Sequence, residues 1–417
     1  MSQTTRTPYQ LRFGLNQVWE LPACEQVQSY LEAPANAAST STPPTPLSTQ
    51  VADALRNPIE FPSMDQLTVS GDIVAFAIDP LLPNAIELVP EVVQWFVDQG
   101  TSPANMRIVY AGNAPKCANP LQEKLEKLLG GDLEFSIHDP TDTEVLAYVA
   151  ANEAAEPIYI NRTLVDADVV VPIRGCRPVG AIDDWGPHAL YPLLTDQNSQ
   201  QRFHSPESLW DEDSNALRTH WSNEAANWAG WLTQIVAVPS NPGIVSDVFA
   251  GLCEPVHRAS QRRFAEAWST PVQEASLTVA LLDGNEEHQD WLGLARALHN
   301  ADRVTADGGN IVVCTEISKP LGKALRSLRA SAVSDEGLEE SLQKAPTEDS
   351  LAASLIHRMK EAKHMYLVSQ LATETVESIG LGVIKDVSEL QHLVAQHDSV
   401  NLVSSIQQRH FALPENQ

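Results

Sequence analysis

The chain has 417 residues, 43% of them hydrophobic, which is enough for two domains with apolar cores. Its 54 acidic residues outnumber 27 basic ones, and the net charge of −27 argues against binding to nucleic acid or to an anionic membrane surface. Five scattered cysteines, no paired metal-ligand spacing and no long apolar run favour a cytoplasmic protein without a structural zinc site.

Residues 33–50 are rich in Ala, Ser, Thr and Pro, and this composition predicts a surface loop. Short apolar runs then alternate with helical patterns. The runs predict strands at residues 73–78, 106–111, 133–137, 157–160 and 169–173, and the helical patterns predict helices at 84–99 and 120–130. Such alternation is typical of βαβ units with a mostly parallel sheet.

The second half of the chain continues with a helical pattern at 206–234, a strand at 235–238 and one long helix at 244–268. A new alternation then begins, with strands at 277–282, 310–314 and 365–368 and helices at 288–299, 320–329 and 348–361. The break at Ser269-Thr270-Pro271 therefore predicts two α/β domains, residues 1–272 and 273–417, with a cleft between them. The last residues are candidates for packing back on the first domain.

Polar residues follow the predicted strands, where parallel sheets bind ligands. The loop at 175–192, GCRPVGAIDDWGPHALYP, follows one strand, and Asp79 follows another. Asp79 can orient a ligand hydroxyl, although capping the next helix is the commoner role. His188 and His204, sixteen residues apart, can share a metal or act as acid and base, and ordinary surface histidines are the alternative.

Two other features are less specific. Arg296 lies in a helical pattern, where a cation facing a cleft can bind a substrate carboxylate, although an exposed arginine is commoner. His138 and Asp139 are adjacent at a strand end and point in opposite directions, so Asp139 is expected to form a turn with Pro140. The sequence contains no GxGxxG, Walker lysine, GxSxG or HExxH motif, and the residues alone therefore assign no reaction.

Several stretches, in order along residues 50–405, resemble the nickel-pincer lactate racemase family. "VADALRNPIEFPSMDQLTVSGDIVAFAIDP" is similar to its N-terminal signature, and "RIVYAGNAP" to its strand that ends in Gly-Thr-His. "FSIHDPTDTEVLAYV" and "EPIYINRTLVDADVVVPIRG" resemble its His-Asp turn, Asn-Arg segment and Asp-Ala-Asp strand. "VFAGLCEPVHRA" and "ADGGNIVVCTE" resemble later segments. The resemblance implies two α/β domains and an isomerase that inverts a 2-hydroxy acid.

The resemblance also implies a cofactor site with several replacements. In that family a lysine tethers a nickel-bearing pyridinium mononucleotide, a downstream histidine binds nickel, and two histidines act as acid and base. Asp79 matches the aspartate of the family's Asp-x-x-Arg-Pro motif, while Leu82 replaces its arginine. Ala114 and Val179 stand at the positions of the two catalytic histidines. Proton transfer by the family's route therefore lacks its usual groups.

The tethering loop differs as well. Residues 185–188, Trp-Gly-Pro-His, replace Gly-Gly-Arg-Lys, so Gly186 stands at a family glycine and His188 at the tethering lysine. His204 falls at the nickel-binding histidine, and Arg296 replaces a lysine near the substrate. We therefore expect Asp79, Gly186 and His188 to hold a cofactor, His188 and His204 to bind nickel or another divalent metal, and Asp79, His188 and Arg296 to carry catalysis. A covalent pyridinium cofactor is not expected, because imidazole is not an amine.

Three hypotheses remain open. The chain is a racemase or epimerase of a small 2-hydroxy acid with a rebuilt site, a non-catalytic or small-molecule-binding member with a degenerate site, or a metal-dependent enzyme of another class that uses His188 and His204. Asp183 and Asp184 disfavour a mononucleotide phosphate in the loop. Nucleic acid and membrane are not expected partners, and the sequence gives no oligomeric state.

Overall fold

The computed structural model describes residues 7–33, 45–112, 114–151, 155–178, 182, 186–188, 190–206, 214–241, 244–329, 337–338, 342 and 346–411. The chain forms two compact units. Unit 1 comprises Met1–Ala33, His204–Glu207 and Trp268–Gln417, and unit 2 comprises Pro34–Phe203 and Ser208–Ala267. None of the helices in the described ranges is long and apolar enough to cross a membrane. Most of the predicted loop at 33–50, residues 34–44, lies outside the described residues.

The strands, in chain order, are β1 (Tyr9–Phe13), β2 (Gln17–Leu21), β3 (Val27–Leu31), β4 (Val74–Ile78), β5 (Met106–Tyr110), β6 (Glu134–Ile137), β7 (Leu146–Ala151), β8 (Pro157–Asn161), β9 (Val169–Gly175), β10 (Thr233–Asn241), β11 (Ile244–Leu252), β12 (Ala275–Leu281), β13 (Thr305–Cys314), β14 (His364–Val368), β15 (Gly382–Val383) and β16 (Val400–Ser404). The α-helices span Leu47–Arg56, Ala85–Asp98, Pro115–Leu129, Arg162–Val165, Gln197–Phe203, Ser214–Ala229, Cys253–Trp268, Trp291–Asp302, Lys323–Ser327, Ser350–Met359, Thr373–Glu377 and Val387–Val394.

Unit 2 is built on a six-stranded sheet in the order β11-β10-β9-β4-β5-β6. Its strands are parallel except β11, which pairs antiparallel with β10. The chain order along the sheet reverses between β4 and β9. In an open parallel sheet, this reversal leaves a crevice at the carboxyl ends of the two strands, where ligands usually bind.

The centre of this sheet is covered on both faces. Phe76 and Ile78 of β4 pack in one apolar core together with Phe96 of the helix Ala85–Asp98. Ala75 and Ala77 point into a second core on the other face. All five residues of β4 are buried, which explains why its sequence, VAFAI, is uniformly apolar rather than alternating.

Unit 1 has its own six-stranded sheet, in the order β15-β14-β13-β12-β16-β3, and every pairing in it is parallel. The division after Ala267 lies close to the predicted break at residue 272. The predicted N-terminal domain nevertheless differs at its start, because β3 is hydrogen-bonded to β16 and the residues up to Ala33 belong to unit 1. Nothing in the sequence of a single edge strand indicates its partner.

The α/β class and the mostly parallel sheets predicted from the sequence are confirmed, whereas two elements differ. The predicted helix at 244–268 is a strand, Ile244–Leu252, followed by a helix that begins at Cys253. Gly251, with a φ of +133°, lies where Ile59 approaches the strand too closely for a side chain. The predicted strand at 157–160 forms, but it pairs antiparallel with β7 in a separate two-stranded sheet.

Candidate functional site

Asp79 and Arg177 occupy the crevice where the sheet of unit 2 reverses. Asp79 follows β4 and Arg177 follows β9, and both side chains are buried. The terminal nitrogens of Arg177 donate to the two carboxylate oxygens of Asp79 at 2.8 and 2.9 Å. The backbone N–H groups of Leu81 and Gly175 donate to the same carboxylate at 2.9 and 3.0 Å. The Asp79 carboxylate therefore accepts four hydrogen bonds from the protein itself.

This geometry engages Asp79 in a turn and an ion pair, and the next helix is preceded by Asn84, so Asp79 does not cap that helix. The bond from Leu81 closes a turn two residues further on, as strand-end aspartates commonly do. The bidentate pair fixes the start of the 175–192 loop against the tip of β4. Sequence analysis did not identify Arg177, because its partner lies 98 residues away in the chain.

A second polar cluster lies further back along β9. Arg174 is only 2% exposed, and its Nε donates to Oε1 of Gln234 on β10 at 2.8 Å. A terminal nitrogen of Arg174 lies 3.1 Å from Nδ1 of His257, on the helix Cys253–Trp268. The Gln234 amide in turn donates to the carbonyl of Cys253 at 2.6 Å. Strand and helix thus hold the guanidinium in a fixed orientation.

His188 lies beside this cluster and lines a small pocket that is partly open to solvent. Three polar side chains line the pocket, those of Arg174, His188 and Gln234. The remaining walls are formed by Pro172, Pro187, Leu190, Trp231 and Cys253. His188 ends a short helical turn that begins at Gly186. Gly186 has a φ of +74°, a left-handed conformation that favours glycine, so its observed role is to shape this turn.

Both histidines of the cluster are held neutral. Burial, and then the nearby Arg174 guanidinium, lower the pKa of His188 from 6.5 to about 4. Burial, Arg174 and then His188 lower the pKa of His257 to about 3. At neutral pH the Arg174 cation therefore lies beside two uncharged imidazoles.

The other predicted residues lie elsewhere. His188 belongs to unit 2 and His204 to unit 1, so the structure brings His188 together with His257 within one unit. Arg296 belongs to unit 1 and is only 6% exposed, within a helix that is buried along most of its length. Ala114 immediately precedes the helix Pro115–Leu129. Val179, Asp183 and Asp184 lie outside the described residues.

His138 is a buried structural histidine. Its Nε2 lies 2.9 Å from the carbonyl of Thr195, and its Nδ1 lies 3.1 Å from the side-chain amide of Asn161. A carbonyl requires a donor and an amide N–H requires an acceptor, so the ring is protonated on Nε2. Burial lowers the pKa of His138. Asp139 forms the expected turn by accepting from the N–H of Thr141 at 2.8 Å.

The described residues around His188 do not fit the tethered nickel cofactor that the resemblance implies. An imidazole at the tethering position offers no amine for the covalent link. The Arg174 guanidinium beside it opposes a bound cation. Throughout the described ranges, no group of three or more His, Cys, Asp or Glu residues is placed to hold a metal ion.

Comparisons with known proteins agree with this architecture. Residues 26–177 match the model of the lactate racemase N-terminal domain. The structure of the lactate racemase apoprotein from Thermoanaerobacterium thermosaccharolyticum superposes with a TM-score of 0.78 at 16% identity, covering 98% of this chain and 100% of that one. A protein from Thermotoga maritima gives a TM-score of 0.62 at 14% identity, covering 88% and 97%. No curated protein matches in sequence.

The fold is that of an α/β protein with two mostly parallel six-stranded sheets. Residues 26–177 match the lactate racemase N-terminal domain, and the fold of the whole chain is similar to that of a lactate racemase apoprotein. The resemblance and the fold class predicted from the sequence are thereby confirmed. At 16% identity, the structural likeness extends to the fold of the chain and not to its reaction.

Proposed function

We propose that this protein binds a small 2-hydroxy carboxylate in the pocket of unit 2, with Arg174 facing the carboxylate. The observation that supports this proposal is the guanidinium held 3.1 Å from His257 in a pocket that His188 also lines. Arginine offers planar N–H pairs that match a carboxylate, and its charge persists at every physiological pH.

The two imidazoles supply the polar contacts that a hydroxy acid needs next to its carboxylate. A neutral imidazole has one donor and one acceptor nitrogen, so it can bind a hydroxyl in either direction. The apolar walls at Pro172, Leu190 and Trp231 suit a short carbon skeleton. A pocket with few polar groups on apolar walls is typical of small-molecule sites.

Titration calorimetry with lactate and with its neutral analogue lactamide tests the proposal. We expect lactate to bind and lactamide not to bind. Arg174→Met should weaken lactate binding by at least about tenfold, which corresponds to the loss of one charged hydrogen bond. Arg174→Lys should retain part of the affinity. Arg258→Met is the matched control, because Arg258 is next to His257 in sequence but is exposed.

Circular dichroism of each variant separates loss of binding from loss of folding. Equal affinity for lactate and lactamide would overturn the proposal, and so would a folded Arg174→Met variant that binds lactate normally. Binding of neither ligand at millimolar concentration would also reject a small 2-hydroxy acid as the ligand.

A second candidate function is epimerisation of such an acid, and the pairing of His188 with His257 favours it. One imidazole would accept the C2 proton on one face, and the other, entering as imidazolium, would return a proton to the opposite face; a bound carboxylate that offsets the Arg174 charge would favour that imidazolium. Incubation in deuterated water with enantiopure C3–C6 2-hydroxy acids, followed by chiral chromatography, tests it. Inversion that is lost in both His188→Gln and His257→Gln supports the candidate, and retention of configuration in every acid rejects it.

A further inference from the structure

Gln261 has a buried hydrogen-bond acceptor that no group of the described chain satisfies. Gln261 lies on the helix Cys253–Trp268, one turn after His257, and its side chain is 9% exposed. Its amide nitrogen donates to the carbonyl of Arg177 at 2.9 Å. In the described part of the chain, no donor reaches its Oε1 atom.

The orientation of this amide is fixed by its partner. A carbonyl oxygen only accepts, so the Gln261 nitrogen must face Arg177 and the oxygen must face away from it. A buried acceptor without a donor is unfavourable, and such groups usually mark the position of a bound donor. The contact with Arg177 places this acceptor beside the carboxyl end of β9, where the 175–192 loop begins.

Helix geometry relates this acceptor to the cluster of Arg174 and His257. Residues four apart on a helix share one face, with Cβ atoms about 5–6 Å apart. His257 contacts Arg174 at one end of this interval, and Gln261 contacts Arg177 at the other. The helix therefore presents to β9 the neutral His257 imidazole, beside the Arg174 cation, and about one turn further along the Gln261 acceptor.

We infer that Gln261 is a specificity-determining residue that accepts a hydrogen bond from a second hydroxyl of the ligand. This inference rests on the proposed carboxylate site at Arg174. A hydroxyl four bonds from the carboxylate carbon lies about 5 Å from it in an extended chain, given bond lengths of about 1.5 Å. The ligand class is therefore a hydroxy carboxylate longer than lactate, with a hydroxyl on C4.

The test compares three acids of one skeleton: pentanoate, 4-hydroxypentanoate and 4-oxopentanoate. The hydroxyl can donate to Oε1 of Gln261. The ketone oxygen only accepts hydrogen bonds, so it cannot pair with Oε1. We expect the wild-type protein to bind 4-hydroxypentanoate about tenfold or more tightly than 4-oxopentanoate, since the ketone leaves a buried acceptor unpaired. Isothermal titration calorimetry measures the three affinities.

Two variants of the same helix make the comparison specific. Gln261→Ala should bring the affinities of the hydroxy and oxo acids to within about twofold, because the acceptor is gone. Arg262→Gln is the matched control, since Arg262 is adjacent and exposed, and it should keep the wild-type preference. The Gln261→Ala variant should still bind pentanoate, which reports on the carboxylate site alone.

The outcomes separate the inference from the proposed function. Binding of pentanoate with no preference between the hydroxy and oxo acids in the wild-type protein overturns the role of Gln261 and leaves the carboxylate site standing. A preference that persists in Gln261→Ala also overturns it. Failure of all three acids to bind, with lactate failing as well, rejects the carboxylate site on which the inference rests.

Discussion

The Arg177 guanidinium forms a bidentate ion pair with the Asp79 carboxylate, at 2.8 and 2.9 Å, between the tips of β9 and β4. This is the position where an open parallel sheet usually offers its ligand crevice. The pair fills that position with the protein's own cation and anion. The ligand pocket proposed for unit 2 therefore lies beside Arg174, on one face of the sheet.

The first prediction concerns the stability that this pair contributes. Arg177→Met should lower the free energy of unfolding by roughly 3–5 kcal/mol, because it leaves the buried Asp79 carboxylate without its cation. The double variant Asp79→Asn with Arg177→Met should regain part of the loss, since neither charge then remains. Urea denaturation at pH 7 measures both values.

An exposed ion pair supplies the control. Arg107 pairs with Glu134 at 2.7 Å, but the Glu134 side chain is 58% exposed. Arg107→Met should cost at most about 1 kcal/mol, because solvent screens exposed pairs. Equal losses in the two arginine variants would contradict a structural role specific to the buried pair.

The second prediction concerns acid sensitivity. The folded-state pKa values of His188 and His257 are about 4 and about 3, below the ordinary 6.5. Below pH 6.5 the unfolded chain therefore takes up protons that the folded chain does not. The free energy of unfolding therefore has its full value above about pH 6.5. It falls as the pH drops toward 4, by up to about 1.4 kcal/mol per pH unit for each histidine.

Urea denaturation at pH 7.5 and pH 5.0 measures this dependence. His257→Gln should reduce the difference in unfolding free energy between the two pH values, because one of the two groups no longer titrates. The exposed His364 provides the matched control, and His364→Gln should leave the difference unchanged. An undiminished difference in His257→Gln would show that the acid sensitivity has another origin.

Much of the fold follows from the sequence, because buried strands and amphipathic helices leave periodic patterns. β4 was predicted from its apolar run, and the helix Ala85–Asp98 from apolar residues at helical spacing. β11 was missed, because a mixed run such as Ile244–Leu252 fits either period over a short window. The place of β3 was also missed, since strand pairing depends on residues more than 300 positions away.

The candidate site was harder to predict for a related reason. His188 was identified from its loop, but its observed neighbours, Arg174 and His257, lie on a strand and a helix that read as ordinary structural elements. An arginine within a buried strand was the available signal, since a charge there requires a partner or a ligand.

The third prediction concerns metal binding. His188 was expected from the sequence to bind nickel or another divalent ion together with His204. We now expect Ni²⁺ to bind weakly at His188, because the Arg174 guanidinium repels it. Arg174→Met should bind Ni²⁺ more tightly than the wild-type protein, since it leaves two neutral imidazoles without the cation.

Elemental analysis after incubation with Ni²⁺ and dialysis measures this. The gain in Arg174→Met should vanish when His257→Gln is added, and it should weaken at acid pH, as the two imidazoles take up protons. Stoichiometric nickel in the wild-type protein that is lost in both His188→Ala and His204→Ala would restore the metal hypothesis based on the sequence.

The last prediction is that the protein does not racemise lactate, even with the cofactor that the family resemblance implies. That route needs a proton acceptor on each face of the substrate, and the matched positions are Ala114 and Val179. General acid–base assistance contributes roughly 10²–10⁴-fold for each group, so the loss of both should reduce the rate to background.

His138 does not replace them, because both of its ring nitrogens are engaged by Thr195 and Asn161 and burial lowers its pKa. A chiral assay with D- and L-lactate tests the prediction on the wild-type protein and on the double variant Ala114→His with Val179→His. Adding His188→Lys restores the third matched group. Activity confined to the triple variant would support the argument, since only that variant carries both proton-transfer groups and the amine. Racemisation by the wild-type protein at an enzyme-like rate would contradict it, because neither alanine nor valine transfers a proton.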